Sequence, residues 1–190
     1  MDDAPVVVDD TDDFQLHDAP LARIIVRLSA VKAALAMKIQ VRDVLSFSGR
    51  DYVVEGCAIY RLAGRTAQLA RAVDGEAVVW IEPPGDATTA TAGAPIDRFL
   101  VLRQIRDLDL AVPPAESVSY RALIYVQRLA GRGALELEGA VPERTAGPVE
   151  VWRYRAAADR VLQIESTDDG VFMLAGESVH RGLIELLPGR

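Results

Sequence analysis

The feature that most constrains this chain is a succession of short apolar runs from Val41 onward, each a few residues long and set off by turn-forming residues. Brief runs rich in Val, Ile, Leu and aromatic side chains suit strands, whereas an amphipathic helix needs a 3.6-residue period over a longer window. Residues 44–47 and 52–54, either side of Ser48-Gly49-Arg50-Asp51, read as a hairpin. Residues 67–73 and 77–81 read as another, because Asp74-Gly75 is a good tight-turn dipeptide. Residues 83–95 hold few bulky side chains and are bracketed by proline, so a long surface loop is expected there. Strands resume at 99–105, break at Pro113-Pro114, and continue at 118–129, 135–137, 149–155, 161–166, 171–174 and 183–187. The expected fold is mainly β, on the border of all-β and α+β. It consists of a β-rich domain over 41–188, built as two related antiparallel meander halves, 41–82 and 98–188, joined by the 83–97 loop.

An internal echo supports the two halves. Ile59-Tyr60-Arg61-Leu62-Ala63-Gly64-Arg65 recurs in Ile124-Tyr125-Val126-Gln127-Arg128-Leu129-Ala130-Gly131-Arg132, with Arg-Leu-Ala-Gly-Arg identical. A tryptophan follows each copy, Trp80 after Val78-Val79 and Trp152 after Val149-Glu150-Val151. Repeats too small to fold alone bury each other's faces, so a duplicated meander sharing one core is expected.

Ahead of the domain, residues 1–18 carry seven Asp and no Lys or Arg, while the rest of the chain balances at 21 acids against 21 bases. This acidic leader has too little apolar surface to offset ordering and is expected to be mobile. Its Asp cluster lacks the Gly and terminal Glu of a calcium loop. Residues 19–40 are expected to form one helix, with Asp18 as cap and Pro20 in the first turn. Its charges, Arg23, Arg27, Lys32 and Lys38, are all basic. Three roles stay open for residues 21–40: packing on the domain, docking with a partner, or lying on an anionic membrane surface.

The net charge of −7 and the neutral body exclude the clustered cations on which nucleic-acid affinity depends, so no nucleic acid is expected. The single Cys57 makes no intramolecular disulfide, and the chain shows neither a secretory-signal pattern nor an apolar run long enough to span a bilayer. A cytoplasmic location is expected, with contact at the inner membrane as its extension.

No cluster of residue types reaches the specificity of a catalytic motif. The two histidines, His17 and His180, with Cys57, do not make a zinc set. Gly176-Glu177-Ser178-Val179-His180 lacks the second glycine of a nucleophile elbow, so His180 reads as a surface residue beside a turn. Cys57, between Gly56 and Ala58, reads as a small buried hydrophobe. Glu55, Glu82 and Glu165 each follow an apolar strand residue, and solvated strand ends are their default reading. Phosphate-loop motifs are absent. Two sets remain as ligand or interface candidates. Arg61, Arg65, Arg128 and Arg132 would suit an anion if they faced one another. Trp80 and Trp152 would make a stacking platform if exposed, with core packing as the default.

The run Val41-Arg42-Asp43-Val44-Leu45-Ser46-Phe47-Ser48-Gly49-Arg50-Asp51-Tyr52-Val53-Val54-Glu55-Gly56 and the strand Val78-Val79-Trp80-Ile81-Glu82 resemble the bacterial domain of unknown function 4178 family. So do Trp152-Arg153-Tyr154, Arg160-Val161-Leu162-Gln163-Ile164-Glu165 and Gly176-Glu177-Ser178-Val179. The resemblance spans about residues 41–188. After the first turns it departs from the family's pattern, with Thr66-Ala67-Gln68-Leu69 where a Trp-bearing strand is usual. It implies a supporting role near envelope-stress components and carries over no residue roles.

The expected function is a non-enzymatic interaction or adaptor module. Its partner is another protein or a second copy, and it docks by an edge strand or through residues 21–40. The alternative is a small-molecule domain for an anionic ligand. No cofactor or metal is expected.

Overall fold

The computed structural model describes residues 37–63, 65–85 and 97–189. Strands β1 (Val44–Phe47), β2 (Arg50–Leu62), β3 (Arg65–Asp74) and β4 (Ala77–Glu82) follow one another as a meander. Then come β5 (Arg98–Ile105), β6 (Ser117–Tyr120), β7 (Leu123–Gly139), β8 (Gly147–Arg155), β9 (Arg160–Thr167), β10 (Gly170–His180) and β11 (Ile184–Leu187), with a 3-10 turn at Arg181–Leu183. The turns read from the sequence hold: Ser48 and Gly49 both take positive φ, and Gly75 sits at φ +58° after Asp74.

Strand order in the sheet is β11-β1-β2-β3-β4-β5-β10-β9-β8-β7-β6, and β2 pairs in addition with β7. That pairing closes β2, β3, β4, β5, β10, β9, β8 and β7 into an eight-stranded antiparallel barrel. Two strands are long enough to serve both the barrel and an extension. In β2, residues 50–53 pair with β1 while 56–62 pair with β7. In β7, residues 123–126 pair with β6 while 133–139 pair with β2. Glycine makes the β2–β7 seam close: a Cβ on Gly133 would strike the Arg61 carbonyl, and one on Gly139 the Glu55 carbonyl.

Alternation divides the apolar side chains between the barrel interior and two outer clusters. Ala58, Tyr60, Leu69, Trp80, Leu102, Val151 and Phe172 belong to the interior. Ile39, Leu45, Tyr52, Cys57, Ile81 and Phe99 form one outer cluster, and Val118, Tyr125, Trp152, Tyr154 and Ile164 the other. A bulge at Glu55 shifts the parity of β2, which lets Tyr52, Val54 and Cys57 face outward while Ala58 and Tyr60 face inward.

The mainly β expectation holds, and three finer expectations are corrected. The halves do not form two packed meanders, because each supplies one contiguous block, β2-β3-β4 and β5-β10-β9-β8-β7, to a single closed barrel wall. β5 pairs with β4, β7 with β2, and β11 with β1. Nor are the echo copies equivalent. The first runs from the end of β2 across Ala63 into β3, whereas the second lies wholly inside β7. Their tryptophans point to opposite sides of the wall. The N-terminal helix does not reach residue 40: residues 37–40 are non-helical, with Ile39 fully buried in the first outer cluster. Residues 1–36, which hold the leader, Arg23, Arg27, Lys32 and the rest of the expected helix, lie outside the described residues. Among the described residues no helix is long and apolar enough to cross a membrane.

Candidate functional site

Alternation on β2, β4, β8 and β9 carries polar side chains as well as apolar ones into the barrel. Tyr60 shares its face with Ala58, Glu82 with Trp80, Arg153 with Val151, and Gln163 and Glu165 with Val161. Gln163 and Glu165 are fully buried, and Glu82 and Arg153 nearly so. Burial of such groups is tolerated only where each is paired and hydrogen-bonded. Here they form one chain. Arg153 donates to both oxygens of Glu82, at 3.0 and 2.6 Å, and from Nε to Gln163 Oε1 at 2.9 Å. Gln163 Nε2 donates to Glu165 Oε1 at 2.7 Å, which also accepts from Tyr60 Oη at 2.7 Å.

The chain ends at a residue supplied by a loop. Residues 140–146, between β7 and β8, direct the Arg144 side chain into the barrel, where it is 2% exposed. Its guanidinium donates to Tyr60 Oη at 2.6 Å and is ion-paired to Glu165. Three aromatic rings surround it, with centroids 4.6 Å away at Phe172, 5.4 Å at Tyr60 and 5.5 Å at Trp80. Phe172 meets Trp80 edge-on at 5.5 Å. Burial raises the Tyr60 phenol above its ordinary pKa against the opposing pull of Arg144, so it stays neutral and keeps its proton for Glu165.

Glu143, the neighbouring loop residue, takes hydrogen bonds from Arg71 at 2.9 and 2.7 Å, and Arg71 is also ion-paired to Glu55. Burial pushes the Glu143 carboxyl up, but the Arg71 hydrogen bonds, a backbone hydrogen bond and the positive charges of Arg71 and Arg144 together outweigh it and hold the group below the usual glutamate range. Beside the loop lies a cleft of about 320 Å³, lined by Arg144, Phe172, Glu143, Thr145, Asp169 and Gln104 among others.

The residues singled out from sequence fall elsewhere. Arg61 is exposed on β2 and paired with Glu136 at 2.5 Å; Arg132 is exposed on β7 and paired with Glu150 at 2.6 Å. Arg65 is the exposed first residue of β3, and Arg128 is the exposed bulge residue of β7. Four different settings give no shared anion cradle. Trp80 and Trp152 are both buried, at 1% and 7% exposure, which is the packing role. Lys38 is exposed on the non-helical segment. His180 ends β10 with its ring mostly exposed, accepting from the Gly182 amide at 3.1 Å. Cys57 is buried, and burial raises its thiol pKa. The default for the carboxylates is corrected at two of three positions: Glu82 and Glu165 are interior, while Glu55 stays half-exposed beside Arg71. Sequence reading did not single out Arg144, Arg153, Gln163 or Tyr60 as a set. The one signal available was the inward parity that 163 and 165 share with Val161.

The class defined by this geometry is a closed antiparallel barrel with a polar, fully hydrogen-bonded interior and a loop arginine as its stopper. A family described as Domain of unknown function (DUF4178) matches residues 40–181, about three quarters of the chain, and the chain belongs to that family. No curated protein matches the chain, and no solved structure does.

Proposed function

We propose that this chain is a non-enzymatic binding module that docks an extended segment of a partner protein along β11. The observation that carries the reading is an open edge beside an exposed apolar row. A closed barrel has no edges, yet here β11 extends the sheet beyond the barrel and, among the described residues, pairs on one side only, with β1. Leu187, Val44 and Val53 stand in register across β11, β1 and β2, with Leu187 and Val53 each 46% exposed and Leu183 at 67% nearby. Edge addition supplies main-chain hydrogen bonds, and an apolar row selects partners with apolar residues at alternate positions. The interior supports a binding rather than a catalytic role, since Glu82 and Glu165 are each committed to an arginine. The free Cys57 thiol is compatible with a cytoplasmic setting, which belongs to this reading together with the envelope-stress role.

The test is affinity capture by the full chain, by a Leu183→Asp/Leu187→Asp variant, and by an Ile124→Asp control at the far end of the sheet. A defined partner recovered by wild type and control, and reduced at least about tenfold by the double variant, is the expected result. Equal recovery by the double variant, or recovery of the chain alone, overturns it.

A further inference from the structure

At the mouth of the barrel a guanidinium of the protein itself sits among three aromatic rings and a carboxylate. Phe172, Tyr60 and Trp80 present three rings to the Arg144 guanidinium, and the Glu165 carboxylate neutralises it. Aromatic rings around a carboxylate recognise alkylated ammonium and guanidinium groups. All four of these residues stand on barrel strands, β2, β4, β9 and β10, so the wall builds the site without help from the loop. The occupant comes from residues 140–146, a non-strand segment bounded by Gly139 at φ +71° and Gly147 at φ +150°.

We infer that this mouth is a binding site for a small alkylguanidinium-type cation, held closed by Arg144 as an internal competitor. Three further observations bear on it. Pro142, Glu143, Thr145 and Ala146 are exposed, so the loop covers the mouth from outside and only the arginine, with Val141, is inserted. A cleft of about 320 Å³ is lined by Arg144 and by Phe172 of the cage, and it has room for the body of a ligand. Asp169 also lines the cleft and favours a cation there, while the Glu143 carboxylate beside it is held by Arg71. Withdrawing Arg144 alone would leave Glu165 buried against Gln163 and Tyr60 with no cation, a costly state. Opening is therefore coupled to the arrival of a replacement positive charge. An internal competitor lowers apparent affinity by the fraction of molecules that are open, so removing it must tighten binding.

The test uses ethylguanidinium chloride at millimolar concentration on the full chain, with sodium chloride and ethylammonium chloride as controls. In wild type the cation is expected to change Trp80 emission saturably and to speed amide exchange across residues 140–146, while sodium chloride does neither. Arg144→Ala is expected to bind at least about tenfold more tightly and to gain several degrees of melting temperature on binding. Ethylammonium, which lacks the planar fork, is expected to bind more weakly than ethylguanidinium. If Arg144→Ala does not fold, Arg144→Met, which fills the space without a charge, replaces it, with tightening again expected. Saturable binding to the variant alone, with no loop displacement in wild type at about a thousand times the variant's Kd, makes Arg144 a structural stopper and overturns the inference. Absence of binding to both overturns it as well. The Leu183→Asp/Leu187→Asp variant should bind the cation as wild type does, which separates this site from the proposed edge.

Discussion

Glu165 and Arg144 are the residues on which the interior depends most. The carboxylate has no exposure, and its partners are Arg144, Tyr60 and Gln163. A buried ion pair adds little net stability over a well-packed apolar pair, but breaking it from one side leaves an uncompensated charge costing about 3–5 kcal/mol. Glu165→Gln should therefore lower the urea unfolding free energy by about that amount. Glu165→Gln/Arg144→Met should recover a large part of it, because the second change removes the stranded guanidinium. Double-variant stability equal to the sum of the two single losses would mean the groups act independently. The sequence shows Glu165 as one acid among many, following Ile164 at a strand end. What makes it interior is the register of β9 against β8 and β10, a tertiary fact that alternation alone does not orient. Arg144 is less legible still, since a loop arginine after Pro142-Glu143 has every mark of a solvated side chain.

At the scale of elements, the 140–146 loop behaves as a latch with two fastenings, Arg144 to Glu165 and Glu143 to Arg71. The second fastening titrates. The Glu143 carboxyl lies below its ordinary value in the folded chain, so the stability it lends is fully present above the unfolded value of about 4.3 and is lost as pH falls through the lowered folded value. Amide shifts of residues 140–146, followed by NMR from about pH 6 to 3, should show a transition with its midpoint below about 4.3. Glu143→Gln should abolish it, and a wild-type midpoint at or above the ordinary value would contradict the assignment. Elements were legible where a turn carries its own signature, as at Ser48-Gly49 and Asp74-Gly75. They were not at Arg121-Ala122, where two non-glycine residues take positive φ and separate β6 from β7 with no turn residue to mark them. The break expected between 129 and 135 is absent as well: β7 runs unbroken through it, and at Gly133 and Gly139 a missing side chain lets it approach β2 and close the barrel.

At the scale of the molecule, the echo in the sequence and the closure of the sheet make different claims about cooperativity. A pair of meanders sharing an interface permits each half some independence. A barrel whose seams run β2 to β7 and β4 to β5 does not, because neither 41–82 nor 98–188 can close a wall without the other. Composition and strand count were enough to read a mainly β domain, but the partner of each strand depends on contacts far apart in the chain, which local pattern does not encode. The two tryptophans are placed to decide the matter. Trp80 lies inside the wall on β4 and Trp152 outside it on β8, one in each former half. In the single-tryptophan proteins Trp80→Phe and Trp152→Phe, fluorescence and far-UV circular dichroism should trace the same urea transition, because a two-state barrel loses both faces together. A fluorescence curve that departs from the circular dichroism curve in either protein would mean that the halves unfold separately. The duplication would then describe the stability of the chain better than the barrel does.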